Sequence, residues 1–542
     1  MTEPNQKKLV FFSKISVIAL FSIWFYLFIR ITTIITSHNN KWYETLSMIV
    51  LLLLEVQIMT FASGYFLNIL RVLRNINDFT SDFKKTHLQF FPPVAVVLAS
   101  YKEPLHVIRD TLVCFYNLNY PNKYLYLLDD TRYDLPWDTS ENKLKYRKDV
   151  EDLCKELEIN LFRANWHGAK AGIINDFNEF LNGKIRDDFE ITYFSKKPIE
   201  PIKYLIIFDA DMNPFPDFID PLIDIMEKNP KVGFVQTPQY YTNFESNRVA
   251  WASGLQQAIF YEYICEGKNY QNAMFCCGTN VMFRKEAYDD VGGFEEESVT
   301  EDFATSLKFH HNGWSSVYLN KISAFGMGPE DLGGFFKQQF RWARGTLGVL
   351  MTLPKQDFSK FTRNQRWEYF LSAAHYLTGT TFFMLIIFPL FYIFFSVPSY
   401  VADPSIYLSS FLPYISLSIL MYVWPLKRRK YKIREVLSVL SLNALTFPIF
   451  IRAAVTALFN MNTKFGITPK DGGSSLSLWA FKMQIITASL CTIGIVWGLQ
   501  RMYYEKYQFY ALFFNIIWIT YNLVMISSFL YFNHGEEESK KG

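Results

Sequence analysis

Two blocks of apolar sequence enclose a long polar region, and this layout constrains the fold more than any other feature. The first block holds two apolar runs, roughly 11–35 and 46–70, and the second holds four, roughly 370–395, 405–424, 476–499 and 509–532. Each run is long enough to supply the ~20 residues that cross a bilayer core. The sequence therefore predicts six membrane-spanning helices, two before and four after a water-soluble domain.

Basic residues beside the first two runs predict the orientation of the chain. Lys7, Lys8 and Lys14 lie at the start of the first run, and Arg71 and Arg74 follow the second. These ends share one side of the membrane in a two-helix hairpin, and positive charge marks the cytosolic side. The N-terminus and residues 71–365 are therefore expected in the cytosol.

A seventh apolar stretch, about 436–459, leaves two topologies open. It contains Pro448 and Arg452, and it leads into the polar segment KFGITPKDGG, residues 464–473. If the stretch crosses the membrane, that segment is extracellular. If it lies on the inner face as an amphipathic helix, the segment and the C-terminal tail are cytosolic. Its polar residues favour the second topology.

The polar region reads as an α/β domain over residues 92–325. Four short apolar runs predict strands, namely VAVVLAS (94–100), YLYLLDD (124–130), KYLIIFDAD (203–211) and VGFVQT (232–237). Three of them end in polar or acidic residues, and helical segments separate several of the runs. Because α/β sheets bind ligands at the carboxyl ends of their strands, those ends are where a site is expected.

Several charged residues of this domain each allow two interpretations. Asp209 and Asp211 in FDADMNP could hold a divalent cation against a diphosphate, or they could belong to a turn that follows the strand. Lys170 in GAKAGIIN could contact phosphate or be solvated surface. Glu301 and Asp302 precede a helical pattern, where acids also complement the helix dipole.

Eight short motifs occur in one order along the chain. They are SYKEP (100–104), LDD (128–130), KAG (170–172), DAD (209–211), QTPQ (236–239), CCGT (276–279), TED (300–302) and QQFRW (338–342). In this order they resemble the processive family 2 glycosyltransferases, whose members include cellulose, chitin and hyaluronan synthases. The resemblance covers nearly the whole chain. It implies a GT-A-type, Rossmann-like α/β domain inserted in an α-helical membrane protein with amphipathic interface helices.

The resemblance also implies roles for individual residues. Asp302 is the expected general base, flanked by Thr300 and Glu301, in a reaction that inverts the anomeric carbon. The expected nucleotide-sugar ligands are Tyr101, Glu103, Asp129, Asp130, Lys170 and Asp209, and the expected ligands of Mg²⁺ or Mn²⁺ are Asp211 and Asp209. The expected acceptor site at the channel entrance comprises Cys277, Gly278, Gln338, Arg341 and Trp342.

The polar segment distinguishes among the members of this family. Phe465, Thr468 and Lys470 resemble the F-x-V-T-x-K gating loop of cellulose synthases, with Ile467 in place of Val. The resemblance implies that the loop is cytosolic, so residues 436–459 should lie along the membrane face. Few residues follow the last apolar run, so the expected relative is a catalytic subunit without a C-terminal cyclic-dinucleotide-binding domain.

The expected function is processive synthesis of a β-linked polysaccharide, a cellulose-like β-1,4-glucan made from UDP-glucose and moved across the plasma membrane. The expected partners are the donor, the growing chain, the bilayer and accessory export subunits, and the net charge of +3 gives no indication of nucleic acid. Two alternatives stay open: synthesis of another β-glycan (mannan, glucomannan, chitin or hyaluronan-like), and transfer of a single sugar to form a glycolipid.

The expected segments are two helices (1–72), the GT-A domain (92–325), interface helices (326–365), two helices (366–425), a basic linker with interface helix and loop (426–475), two helices (476–533) and a cytosolic tail (534–542).

Overall fold

The computed structural model describes residues 3–37, 40–74, 90–353, 357–461 and 475–534. Two long helices, α1 (Glu3–Thr36) and α2 (Trp42–Arg74), pack against each other before the polar domain. Both are apolar along most of their length, as a helix in contact with lipid requires.

The domain that follows is built on a mixed sheet. Its strands in chain order are β1 (Val94–Ser100), β2 (Lys123–Asp129), β3 (Asn160–Arg163), β4 (Glu190–Thr192), β5 (Tyr204–Asp209), β6 (Asn213–Pro214), β7 (Val232–Gln236), β8 (Tyr240–Tyr241), β9 (Val281–Arg284), β10 (Ser315–Tyr318) and β11 (Ala324–Gly326). Eight of them form one sheet in the order β10-β7-β9-β5-β1-β2-β3-β4. Neighbours are parallel except that β9 runs antiparallel to β5 and β7, and β4 to β3. A small second sheet has the order β6-β11-β8.

The register of the central strands places their carboxyl ends together. In β1 nearly every residue is buried, which accounts for its unbroken apolar sequence. Its last residue, Ser100, pairs with Asp129 of β2, and Ala99 pairs with Asp209 of β5. The acidic ends of two strands therefore lie on either side of the same neighbour.

Helices cover both faces of the sheet and form two apolar cores with it. They are α3 (Leu105–Tyr116), α4 (Ser140–Glu156), α5 (Ala169–Leu181), α6 (Ile219–Lys228), α9 (Lys285–Asp290) and α10 (Glu301–His311). Two other helices of the described region, α7 (Arg248–Ile259) and α8 (Glu266–Asn269), are not part of these two cores. A π-helical segment, Phe260–Cys265, joins α7 to α8.

The remaining helices are α11 (Leu332–Thr352), α12 (Arg363–Ala374), α13 (Thr378–Phe395), α14 (Pro404–Arg428), α15 (Ile433–Ala444), α16 (Phe447–Leu458), α17 (Lys482–Tyr504), α18 (Phe509–Ser527) and α19 (Phe529–Asn533). Within the described ranges, six helical segments are long and apolar enough to cross a membrane. They are Ser13–Thr36, Trp42–Arg74, Arg363–Phe395, Pro404–Arg428, Leu478–Tyr504 and Lys506–Asn533. The length and composition of these helices confirm the arrangement expected from the sequence, with two candidate spans before the soluble domain and four after it. The chain is a multi-pass membrane protein.

The ambiguous stretch forms a bent pair of helices. α15 and α16 meet at 44°, so the pair is either a broken span, which would make a seventh crossing, or a re-entrant element. The flat topology for residues 436–459 therefore stays a prediction. The gating-loop residues Phe465, Thr468 and Lys470 lie outside the described residues.

A buried charge cluster joins the soluble domain to the membrane helices. Glu368 of α12 has no exposed side-chain surface and accepts hydrogen bonds from Lys268 Nζ at 2.9 Å and Asn68 Nδ2 at 3.2 Å. It also pairs with Arg71 of α2. One carboxylate thus connects α2, α8 and α12.

Substituting Glu368 with Ala should leave Lys268 buried without its carboxylate partner. Breaking a buried pair in this way costs about 3–5 kcal/mol, so we expect a clearly lower thermal unfolding midpoint in detergent. Asp217→Ala is the control, because it breaks an exposed pair with Lys321 that contributes about 0–1 kcal/mol. Equal losses in the two variants would contradict the anchoring role of Glu368.

Candidate active site

The first part of the site forms where α5 begins beside the end of β5. Lys170, in the first turn of α5, donates hydrogen bonds to the carboxylate of Asp209 and to the carbonyl oxygen of Gly278 at 2.6 Å. The backbone N–H of Asp209 donates to Thr279 Oγ1 at 2.9 Å. The KAG, DAD and CCGT motifs, far apart in sequence, therefore meet at one lysine.

Lys170 is held in its charged form. Burial alone would lower the pKa of its ammonium group, but the negative charges of Asp209 and Glu301 outweigh burial and raise that pKa above its ordinary value. The site thus contains a fixed positive charge where a diphosphate would need one.

The TED motif supplies two carboxylates at the start of α10. Thr300 precedes the helix, and Glu301 and Asp302 lie in its first turn. Gly278 has φ +80°, a conformation that favours glycine, and a Cβ at this position would lie 3.0 Å from Asp302 Oδ2. The missing side chain allows the CCGT segment to pass directly beside the carboxylate of Asp302.

The carboxylates of the TED motif have altered acidity. Burial and the neighbouring Glu301 raise the pKa of Asp302 to about 7, although Lys170 and Arg341 partly oppose this. Burial also raises the pKa of Glu301. A carboxylate that titrates near neutral pH is well matched to accept a proton from a hydroxyl group.

The QQFRW motif reaches the same cluster from α11. A Cβ on Gly345 would lie 2.5 Å from Thr300 Cγ2, so this glycine lets α11 approach the start of α10 closely. The charge of Arg341 acts on both TED carboxylates. Gln338 lies beside the hydroxyl of Tyr241, and Trp342 is partly buried on the same helix.

The two acids of the LDD motif have different surroundings. Asp129 is buried and its oxygens accept hydrogen bonds from Arg163 Nε (2.8 Å), Tyr133 Oη (2.7 Å) and the backbone N–H of Thr131 (3.2 Å). Asp130 is also buried, but its Oδ1 has no hydrogen-bond partner among the described residues. Burial and the adjacent Asp129 raise the pKa of Asp130 to about 8.

Arg163 and Tyr133 are functional neighbours that the sequence reasoning missed. Arg163 ends β3, a strand of four residues whose sequence, NLFR, carries little strand signal. Its position at a strand end was the one sequence signal that could have indicated a partner for an LDD carboxylate.

The remaining predicted residues lie along the same edge of the sheet. Asp211 follows β5 in a turn that Gly326 approaches closely, since a Cβ there would lie 2.6 Å from the Asp211 carbonyl oxygen. Tyr101 follows β1 and lies near the charges of Arg132 and Asp130. Glu103 follows in the same loop, and its carbonyl oxygen accepts a hydrogen bond from Tyr146 Oη at 2.7 Å. Cys277 donates its backbone N–H to Gln236 Oε1 at 2.8 Å.

Known protein families match this arrangement. Residues 204–526 match the family model Glycosyl transferase family group 2, and residues 95–292 match Glycosyl transferase family 2. Putative cellulose synthase 2 of Komagataeibacter xylinus is 25% identical over 513 residues, 91% of this chain and 31% of that protein. The cellulose synthase catalytic subunit (UDP-forming) of Pseudomonas fluorescens is 25% identical over 458 residues, 82% of this chain and 57% of that protein.

A third relative, the cellulose synthase catalytic subunit (UDP-forming) of Xanthomonas axonopodis pv. citri, is 30% identical over 264 residues, 47% of this chain and 32% of that protein. The chain thus spans from about a third to just over half of the length of these relatives. The first family match alone covers more than half of the 542 residues, and the second covers most of the α/β domain. The predicted fold class, a GT-A-type α/β domain in a helical membrane protein, is confirmed. The chain belongs to the family 2 glycosyltransferases, in their cellulose synthase-like group.

Proposed function

We propose that this protein is an inverting glycosyltransferase in which Asp302 is the general base. The observation that carries the proposal is the position of Asp302, whose carboxylate lies against Gly278 in the cluster that contains Lys170 and Asp209. An acceptor hydroxyl within hydrogen-bond distance of Asp302 could give up its proton as it attacks the donor sugar.

The proposed chemistry is a single displacement. The acceptor oxygen forms a bond to the anomeric carbon of the donor while the bond from that carbon to the diphosphate oxygen breaks. The electron pair of the broken bond leaves with the nucleoside diphosphate, and the acceptor proton moves to an oxygen of Asp302. Because one attack occurs from the face opposite the leaving group, an α-linked donor yields a β-linked product.

Lys170 and the DAD carboxylates form the proposed diphosphate site. Among the described residues no group of three His, Cys, Asp or Glu side chains is placed to hold a metal. Asp209 and Asp211 are both partly exposed, and two carboxylates fit Mg²⁺ or Mn²⁺, which complete their coordination with water and phosphate oxygens. Such an ion supplies positive charge to the leaving diphosphate. Lys170 adds a charge of its own beside Asp209.

The proposed donor is UDP-glucose, and the proposed product is a cellulose-like β-1,4-glucan made processively and moved out through the membrane helices. The names of the relatives support this choice. Gln338, Arg341, Trp342 and Cys277 would then form the acceptor site at the channel entrance. The catalytic domain would face the cytosol from the plasma membrane, with Phe465, Thr468 and Lys470 as a gating loop and accessory subunits assisting export.

The product tests this proposal. Membranes that contain the protein should convert radiolabelled UDP-glucose and Mg²⁺ or Mn²⁺ into a polymer that β-1,4-glucanase degrades. A panel of other nucleotide sugars distinguishes mannan, glucomannan, chitin or hyaluronan-like products. A lipid-soluble product with one added sugar would contradict processive synthesis, and no transfer from any donor would contradict the proposal as a whole.

The transfer rate should rise with pH through about pH 7. The folded-state pKa of Asp302 is raised from 3.8 to about 7, so the carboxylate becomes protonated below that pH and can no longer accept a proton. With one essential base, the rate about one pH unit below the pKa should be about a tenth of the plateau. The pH dependence of kcat/KM between about pH 5.5 and 8.5, which reports the ionisation of the free enzyme, would measure this, and a flat profile would contradict it.

A further inference from the structure

The helix that carries Lys170 begins in a strained turn. Gly168 (φ +56°) and Ala169 (φ +52°) both lie in the left-handed region of backbone conformation. Glycine tolerates this region, but the Cβ of Ala169 makes it unfavourable, so the conformation persists only where neighbouring contacts impose it. Ala169 is the first residue of α5, and Lys170 follows it directly. The turn therefore sets the direction in which the side chain of Lys170 extends toward Asp209.

His167, immediately before this turn, is held between two carboxylates. Its Nδ1 lies 2.8 Å from Glu296 Oε2, and its Nε2 lies 2.9 Å from Asp176 Oδ2. Because carboxylates only accept hydrogen bonds, both ring nitrogens donate and the ring carries a positive charge. Burial alone would lower the pKa of this imidazolium, but its hydrogen bonds to the two carboxylates outweigh burial and raise that pKa above its ordinary value. Asp176, which is buried, is held in turn by Arg186.

Glu296 is bound through both of its carboxylate oxygens. Its Oε2 contacts His167, and its Oε1 accepts a hydrogen bond from Asn175 Nδ2 at 2.7 Å. The Oδ1 of Asn175 accepts the backbone N–H of Phe294 at 2.8 Å. A Cβ on Gly168 would lie 2.5 Å from Glu296 Oε2, so the carboxylate lies directly against the strained turn. The segment that leads to the TED motif is thereby attached to the start of α5.

We propose that Glu296, acting through His167, is a positioning residue that holds the strained turn and so places Lys170 against the diphosphate. This inference rests on the proposed function, which assigns the diphosphate to Lys170. When the carboxylate is removed, Ala169 can relax to a negative φ. That change turns the first residues of α5 and takes the ammonium group of Lys170 away from Asp209.

Binding of pyrophosphate with Mg²⁺ to the purified full-length protein, measured by calorimetry in detergent, tests the inference without any sugar transfer. Lys170→Met should weaken binding by about 10-fold or more, because a hydrogen bond to a charged group is lost. Glu296→Ala and His167→Ala should each weaken it by a comparable factor. Adding either of them to Lys170→Met should cause no further loss, since residues that act through one group are not additive.

Two further variants separate the position of Lys170 from a general disturbance. Glu296→Gln should keep most of the affinity, because its amide oxygen can accept from Asn175 while its amide nitrogen donates to Nδ1 of a neutral His167. Glu156→Ala should bind pyrophosphate as the wild type does, since it removes an exposed carboxylate that pairs with Arg109 on the surface.

The outcomes distinguish this inference from the proposed function. Wild-type affinity for pyrophosphate in Glu296→Ala and His167→Ala would overturn the inference. Losses that add to that of Lys170→Met would also overturn it, because the two residues would then act by a route other than Lys170. A loss in Glu296→Gln as large as in Glu296→Ala would overturn it too, since the amide keeps both contacts. A wild-type protein that binds pyrophosphate but transfers no sugar from any donor would overturn the proposed function alone. A wild-type protein that binds no pyrophosphate would overturn the role of Lys170 and the inference with it.

Discussion

Asp302→Asn is expected to lower the rate of sugar transfer by about 10²–10⁴-fold, the range that a positioned general base contributes. The amide has nearly the shape of the carboxylate but cannot take the acceptor proton. Gly278 leaves room for either group, since it has no side chain against Asp302 Oδ2. Initial rates at saturating donor and acceptor, measured at the pH optimum of the wild type, would show the loss.

Two comparisons show whether the lower transfer rate comes from the lost proton transfer rather than from weaker donor binding or a damaged fold. UDP binding should be retained in Asp302→Asn, because the proposed nucleotide ligands lie after β1, at or just after the end of β2, on α5 and at the end of β5, whereas Asp302 belongs to α10. Asp217→Asn should transfer sugar at the wild-type rate, since this side chain is 61% exposed and pairs with Lys321. A rate above about a tenth of the wild-type value in Asp302→Asn would mean that another group takes the proton.

The sequence predicted the centre of the sheet better than its edges. The strands expected at 94–100, 124–130, 203–211 and 232–237 all form, because a strand buried on both faces needs an unbroken apolar run. The short strands β3, β4, β9 and β10 were missed. Runs of three or four residues carry almost no periodicity, and partners far along the chain decide whether they pair. The antiparallel direction of β9 is likewise set by its distant partners β5 and β7 and not by its own four residues.

The candidate site was predictable as a set of motifs but not as a set of roles. Acids at the ends of β2 and β5 had to meet once both strands paired with β1. The division between Asp129 and Asp130 could not be read from LDD, because it depends on Arg163 at the end of another strand. For Glu301 and Asp302 both sequence interpretations hold. The two acids lie in the first turn of α10, where they complement the helix dipole, and their charges also act on Lys170 in the site.

Lys170→Met is expected to lower the transfer rate at pH 7 by about 10²–10³-fold, the cost of removing one group that stabilises developing charge. Two effects combine. The leaving diphosphate loses a positive charge, and Asp302 loses a charge that lowers its pKa. The pKa of Asp302 should therefore move further above 7, so the variant should require a more alkaline solution than the wild type for its maximal rate.

The pH dependence separates these two effects of Lys170. A rate midpoint that moves upward in Lys170→Met, but not in Lys170→Arg, would show that the positive charge controls the acidity of Asp302, since Arg keeps the charge. A rate that falls by one factor at every pH would contradict this coupling and leave only the diphosphate contact. Lys184→Met provides the control, because Lys184 pairs with Glu179 on the surface and follows the end of α5 opposite to Lys170. The position of Lys170 between Asp209 and the TED acids favours the shifted midpoint, since its charge acts on both sides of the reaction.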